Sequence, residues 1–289
     1  MNLEQQAART IARYDMLRPG QPVLAALSGG ADSVALVYVL CALGYPVRAY
    51  HLNHCLRGEE SERDADFVHS LCIKLDVPLT LEREDAAAYA AQTGESVETA
   101  ARKLRYARLS DCAARQGITR IATAHTADDN LETMLFHLVR GTGAKGLMGI
   151  PPVRGRIIRP LIEVERREIE AFLRERGQDF VTDSTNADTA YTRNRLRQEV
   201  VPVLRELNPQ AAQAAARAIV TACGVLQTPT NALGFLFYAA AAVVYDRGLD
   251  LPESEIEELT RQLWQDAHAL LSAQSVRNEP CPAKIQWHC

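Results

Sequence analysis

The stretch Val23-Leu24-Ala25-Ala26-Leu27-Ser28-Gly29-Gly30-Ala31-Asp32-Ser33 decides the fold. Its first five residues form a short apolar run of the length of a buried strand, and residues 33–43 continue as an apolar helix. A glycine-rich turn between strand and helix exposes successive backbone N–H groups at the positive helix end, a setting that suits phosphate. The turn lacks the Gly-Lys-Ser/Thr ending of the common nucleotide loop and the G-x-G-x-x-G spacing of the dinucleotide fold. On these residues alone it reads equally well as a tight turn in which Asp32 and Ser33 cap the helix.

Working outward, strand candidates at 46–52, 78–81 and 118–124 alternate with helical stretches at 60–75, 96–116 and 126–140. Repeated β-then-α units predict an α/β fold, a parallel sheet covered by helices on both faces, with ligands at the carboxyl ends of the strands. Residues 141–160, rich in Gly, Pro and Arg, read as an irregular connection. Helices are expected near 165–176, at 191–207 and over the alanine-rich 209–226; beyond Pro229 the pattern is helical without a motif. The division expected is a catalytic domain over 1–208 and a smaller helical C-terminal region over 209–289.

Charge is unevenly spread. Residues 1–220 hold 28 basic and 28 acidic side chains, while the last 69 hold 4 and 8, so the tail supplies the whole net charge of −4. A neutral body with an acidic tail lacks the basic coat of a general nucleic-acid binder. The seven cysteines, at 41, 55, 72, 112, 223, 281 and 289, include no C-x-x-C pair, which leaves a zinc ribbon or iron–sulfur site without sequence support. Scattered thiols and no signal peptide suit a reducing cytoplasm. The longest apolar run, 232–245, is too short to span a bilayer, so no membrane partner is expected.

With the glycine-rich loop after Leu27, three motifs stand where strands end. His51-x-Asn53-His54-x-Leu56-Arg57-Gly58 closes the second strand; its two histidines read as polar loop packing or as a metal pair without a third ligand. On the helix at 96–116, Glu98 and Arg102 have the spacing of an i,i+4 ion pair, and Arg102, Arg105 and Tyr106 share a face from which a guanidinium can grip phosphate. His125-Thr126-x-Asp128-Asp129-x-x-Glu132-Thr133 opens the next helix, with Thr126 and Asp129 spaced as a capping box. Capping explains one carboxylate more easily than three. Asp129 and Glu132, three apart, point to one side of the strand end and would seat a small cation such as lysine. Asp183-Ser184-Thr185-Asn186 then precedes Tyr191-x-Arg193-Asn194-x-x-Arg197, on its own a turn and a solvated basic helix.

The signature S-G-G-x-D-S after an apolar strand resembles the PP-loop of the N-type ATP pyrophosphatases, a Rossmann-like fold. That resemblance implies that Ser28, Gly29, Gly30, Ala31, Asp32 and Ser33 hold the phosphates of ATP and that Asp32 places a magnesium ion (Mg2+). Taken with H-x-N-H-x-L-R, A-R-x-x-R-Y, H-x-x-D-D-x-x-E-T, R-G-x-G-x-x-G-L and D-S-T-N…Y-x-R-N-x-x-R, the chain is similar to the tRNA(Ile)-lysidine synthetase family over about residues 20–208. The family's chemistry is adenylation of the wobble cytidine in a CAU anticodon, followed by attack of free L-lysine and release of AMP. Carried over by position, Arg105 and His125 contact ATP, Asp129 and Glu132 hold lysine, and Arg193 with the rest of 193–197 serves lysine or the anticodon. The implied partners are tRNA(Ile) with a CAU anticodon and lysine, with a homodimer as a candidate assembly. The end of the chain departs from the family, whose members usually continue into further tRNA-gripping domains; about 80 residues follow the last motif here, and they are acidic. Two rivals remain. One is a PP-loop tRNA thiolase, disfavoured by the lack of C-x-x-C, and the other is a non-catalytic nucleotide- or RNA-binding protein.

Overall fold

A computed structural model describes residues 1–142, 149–182 and 192–216, without the side chains of Thr192 and Arg193. The expected motif at 183–186, Tyr191, the glycines at 143 and 146, the Arg193 side chain and everything beyond 216 lie outside the described residues.

β1 (Val23–Ala26) is the central strand, and Val23, Leu24 and Ala25 are fully buried because helices cover both faces of the sheet. Around it the chain forms α1 (Leu3–Arg13), α2 (Ala31–Ala42), β2 (Val47–Asn53), α3 (Glu59–Lys74), β3 (Leu79–Arg83), α4 (Ala86–Thr93), α5 (Val97–Arg115), β4 (Arg120–Ala122) and α6 (Ala127–Val139). Then come the short strands β5 (Val153–Arg154) and β6 (Ile157–Ile158), α7 (Arg166–Glu175), and α8. α8 starts as Thr192–Arg195, widens to a π-helical turn over Leu196–Val200 and resumes as Val201–Leu207. Pro202 stands just after the widened turn, and its missing N–H removes one α-helical bond there.

The strand order is β3-β2-β1-β4-β6-β5, parallel throughout except for β5. The chain therefore builds outward from β1 to β3, then returns across β1 to lay down β4 on the other side. The carboxyl ends of β1 and β4 flank that switch point, the place where an open α/β sheet opens a crevice. Part of the expected irregular connection 141–160 is in fact the β5–β6 hairpin, turning at Gly155 (φ +59°), with β6 joining β4. Strands of two residues carry no periodicity for a sequence to display.

The main core lies between the sheet and α1, α2, α3 and α7. In α2, Val34, Ala35, Leu36, Val37, Val39 and Leu40 are all fully buried, which explains a helix apolar on every side. Each such leucine contributes ~1.5–3 kcal/mol by leaving water. On the opposite face α5 packs Leu109, Cys112 and Ala113 against Leu24, Tyr50 and Ile121. A third cluster joins Ala127 and Leu131 of α6 to Val201 and to Ala212, Ala215 and Ala216. Among the described residues no helix is long and apolar enough to cross a membrane.

Candidate active site

The turn after β1 is fixed from three directions. Leu27 donates its N–H to Tyr50 O at 2.9 Å, keeping the loop in line with β2. Gly29 has φ +95°, and a Cβ there would stand 3.2 Å from Val181 Cγ2 and 3.4 Å from Val68 Cγ2, so only glycine fits. Its carbonyl accepts from Val181 N–H at 3.0 Å, which straps residues 180–182 over the loop. Ser33 Oγ donates to Gly30 O (2.9 Å), accepts from Ser28 N–H (3.2 Å) and lies 3.1 Å from Ser28 Oγ. The N-cap of α2 is Gly30, which offers no side-chain cap, so the first turn of α2 presents bare N–H groups to the cavity.

Asp32 lies in that first turn with Oδ1 buried and without a hydrogen-bond partner. Burial pushes its carboxyl up to about 7; Arg166 and Arg197 oppose the rise, while Asp129 and Asp128 add to it. An orphaned carboxyl whose charged form is disfavoured by burial, beside a glycine-rich turn, fits a group that a cation would stabilise. Among the described residues no cluster of three His, Cys, Asp or Glu side chains could hold a metal alone. Magnesium bound with a nucleotide needs only one or two carboxylates besides phosphate oxygens, and Asp32 and Asp129 line one cavity.

Two cavities meet here, of about 620 and 290 Å³, sharing Ser28, Ser33, Ala124 and Asp129 in their walls. The larger is lined by His54, Arg105, Tyr106 and His125, the smaller by Gly30, Asp32, Arg166, Val181 and Arg197. Together they have the size of a nucleotide site. His51 Nδ1 donates to Leu27 O at 2.8 Å, and Arg57 pairs with buried Asp64 at 2.7 Å, so these members of the first motif brace the loop. His54 differs. Its buried Nδ1 has no partner, and burial, helped by Arg105 and His51, holds the ring neutral with its pKa down at about 4. His125 Nδ1 lies 3.0 Å from Thr123 Oγ1, which orients the ring at the end of β4. Arg105 is exposed to the larger cavity but walled by protein; that desolvation, with Arg102 adding to it and Tyr106 opposing it, lowers its pKa. The expected Glu98–Arg102 ion pair is not made; Arg102 turns instead to the ring of Tyr106.

At the start of α6 the capping box forms. Asp129 Oδ2 accepts from Thr126 N–H (2.8 Å) and Thr126 Oγ1 (3.1 Å), and Thr126 Oγ1 accepts from Asp129 N–H (3.2 Å). Asp128 is structural: it accepts from Arg166 N–H at 2.7 Å and pairs with Arg205. Asp129 and Glu132 converge as their spacing predicts, but a guanidinium already sits with them. Arg197, from the π-helical turn of α8, grips Glu132 through Nε (2.6 Å) and Nη2 (2.8 Å) and lies 3.8 Å from Asp129 Oδ1. Glu132 is buried and lines neither cavity, whereas Asp129 and Arg197 face the smaller one. Burial pushes the Glu132 carboxyl up despite the bond from Arg197, whose own pKa is raised by it. Sequence reading missed Arg166 and Val181. An arginine opening a solvated helix and a valine after Phe180 carry no local mark of a site.

Comparisons with known proteins agree with this geometry. Residues 2–204 match the family model described as PP-loop domain. Residues 187–266 match a second model, for an Imm-5 like immunity protein, and most of that stretch lies outside the described residues. The chain is 47% identical over 207 residues to a tRNA(Ile)-lysidine synthase of Bacteroides thetaiotaomicron, covering 72% of this chain and 49% of the relative. It is 48% identical over 207 residues to the tRNA(Ile)-lysidine synthase of Parabacteroides distasonis, covering 72% and 47%. It thus spans about half the length of the curated relatives it matches. Among solved structures, the U34-tRNA thiolase NcsA of Methanococcus maripaludis, with its [4Fe-4S] cluster, superposes with a TM-score of 0.62 at 16% identity, covering 75% of this chain and 76% of that one, a likeness of fold. With an S-G-G-x-D-S loop at the carboxyl end of the central parallel strand and a family match over residues 2–204, the chain belongs to the PP-loop domain family.

Proposed function

We propose that the protein is an ATP-dependent ligase that adenylates the wobble cytidine of tRNA(Ile) bearing a CAU anticodon and joins free lysine to it, forming lysidine. The observation that carries this reading is the joined pair of cavities, with a phosphate loop on one wall and the Asp129–Arg197–Glu132 cluster beside it. The names of the relatives point the same way. In this reading residues 1–208 contain the ATP chemistry and 209–289 form a C-terminal helical region.

In the first step the cytidine O2 attacks the α-phosphorus of ATP, and the bond to the bridging oxygen breaks to release pyrophosphate. The bare N–H groups at the start of α2, the Ser28 and Ser33 hydroxyls and the Arg166 and Arg197 guanidiniums take up the developing phosphate charge. Magnesium, when bound with the nucleotide, would be held by Asp32 and would supply charge neutralisation. Arg105 and His125, across the larger cavity, orient the nucleotide. In the second step the lysine ε-amine attacks C2, the C2–O bond breaks, and AMP leaves with that oxygen. The amine must be neutral to attack, and Asp129, which lines both cavities and whose Oδ1 lies 3.8 Å from Arg197, accepts its proton. Arg193, whose side chain is not described, belongs with Arg197 in this reading.

The test is incorporation of labelled lysine into tRNA(Ile) with a CAU anticodon, alongside ATP–pyrophosphate exchange. Lysine retained only with ATP and the CAU anticodon is the expected result. AMP transfer without retained lysine would leave the PP-loop chemistry standing and remove the lysidine assignment.

A further inference from the structure

Tyr106 lies between two arginines. The guanidinium carbon of Arg102, on α5, stands 5.2 Å from its ring centre, and that of Arg154, on β5, stands 5.6 Å away. Arg159, on the segment after β6, lies buried behind them, with its Nε unpartnered. Burial lowers its pKa first; Tyr106 opposes this, and Arg154 and Arg102 add to the fall. Arg105, one residue before the tyrosine, feels Arg102 in the same way. Two guanidiniums face one aromatic ring, and two more, Arg105 and Arg159, lie close enough to feel Tyr106 and the neighbouring arginines.

Many arginines of this domain pair with acids, among them Arg13 with Glu163, Arg57 with Asp64, Arg108 with Glu84, Arg176 with Glu4, Arg197 with Glu132 and Arg205 with Asp128. Among the described residues no ion pair reaches Arg102, Arg105, Arg154 or Arg159, although residues 1–220 hold as many acids as bases. Like charges gathered without a counter-ion repel one another, and a shared tyrosine ring offsets this only in part. The cluster is shaped for an anion brought from outside.

Its position says which kind. Arg105 and Tyr106 line the larger cavity, whereas Arg102 and Arg154 are exposed and outside both cavity walls. A mononucleotide filling the cavity would leave them unused. A nucleotide still joined to its strand would not, because its neighbouring phosphates must run out over the rim. We infer that Arg102 and Arg154, held on Tyr106, form the docking surface for the RNA backbone flanking the nucleotide inserted in the cavity. Planar guanidiniums suit both phosphate and the faces of unstacked bases. This inference rests on the proposed reading only in taking the inserted nucleotide to be part of an RNA; it does not depend on lysine.

The experiment uses the full chain and the double variant Arg102→Ala/Arg154→Ala, with matched thermal unfolding to verify folding. Binding is measured with tRNA(Ile) bearing a CAU anticodon and with the same tRNA carrying a changed anticodon, across a salt series, and ATP binding is measured in parallel. Losing two phosphate contacts on a single strand lowers the slope of log K against log salt by ~1.4, so the gap to wild type narrows roughly sevenfold between ~50 and ~200 mM salt. Both tRNAs should weaken alike, because backbone contacts carry no sequence, and ATP affinity should hold. Arg102→Lys/Arg154→Lys should restore most of the slope. An unchanged slope in the folded, ATP-binding double variant would overturn the inference, as would a wild-type chain that binds neither tRNA or a loss confined to the CAU anticodon. Lysine incorporation, assayed separately, can fail while the docking surface stands.

Discussion

Replacing Glu132 by Gln tests the part of the site where the structure adds most to the sequence. Glu132 gives both oxygens to Arg197, at 2.6 and 2.8 Å, with side-chain exposures of 8% and 33%. Glutamine keeps one acceptor and turns an NH2 toward a guanidinium, so one charge-assisted bond is lost. Such a bond is worth ~1.5–3 kcal/mol, but Arg197 is one-third exposed and the burial penalty on Glu132 is relieved, so about 1–2 kcal/mol is expected. For a domain of this size that lowers Tm by roughly 2–8 °C. Glu132 lines neither cavity, so in the proposed chemistry it acts on lysine through Arg197 and Asp129, and lysine's apparent affinity should fall by up to about tenfold, the equivalent of ~1.4 kcal/mol. Adenylation precedes lysine attack, and a released Arg197 still lines the phosphate cavity, so tRNA-dependent AMP transfer should persist. The assay measures thermal unfolding with and without ATP, then AMP transfer and lysine incorporation separately. Equal loss of both chemical steps would refute the assignment of Glu132 to lysine, and an unchanged Tm would refute the reading of the ion pair.

Asp32→Ala should abolish pyrophosphate release while Tm holds or rises, because a buried, partly protonated carboxyl with an orphaned oxygen is removed; near-normal ATP–pyrophosphate exchange would contradict its place in the site. Gly29→Ala forces a side chain to φ +95° and against Val181, so stability should drop by about 1–3 kcal/mol, read from urea midpoints, and ATP binding should weaken. Adding Val181→Ala should return only the contact part of that loss. His54 is held neutral with its pKa down at about 4, so below its ordinary value of ~6.5 the unfolded chain binds a proton that the folded chain refuses. Its contribution is therefore fully present above ~6.5 and is lost as the pH falls toward 4, and His54→Gln should flatten the fall in urea midpoint across that window.

The parallel sheet was legible because β1 is a short apolar run and each of the four main strands is followed by a helical period. Strand candidates at 46–52 and 78–81 lie within two residues of β2 and β3 at either end. The phosphate loop was legible because its geometry is local: a positive φ at Gly29 and serines five apart need no distant residue. Glu132 and Asp129 were legible as a pair from helical spacing. What occupies them was not, since Arg197 reaches Glu132 across 65 residues from a π-helical turn. The β5–β6 hairpin escaped for want of length, and α1, capped by Asn2 and Gln5, was passed over in favour of the strand–helix repeats that follow it. Arg166 and Val181 belong to the site through tertiary contacts alone.

Net charge gave no hint of an RNA partner, and the structure explains why it could not. The described domain neutralises most of its arginine clusters locally, so a sum over 1–220 comes to zero whatever the arrangement. What bears on a phosphate ligand is where acids are withheld. At the loop, in the proposed reading, backbone N–H groups would meet phosphate without any formal charge. At α8, Arg197 is tied to Glu132 while facing the phosphate cavity, so one guanidinium serves both charges. Around Tyr106, among the described residues, no ion pair reaches the arginines, and the exposed Arg102 and Arg154 keep their positive charge available to something outside the protein. The α2 terminus and Arg197 line the smaller cavity and Arg105 and Tyr106 the larger, with Arg102 and Arg154 outside both, an arrangement that a nucleotide inserted from within a longer strand would meet at once.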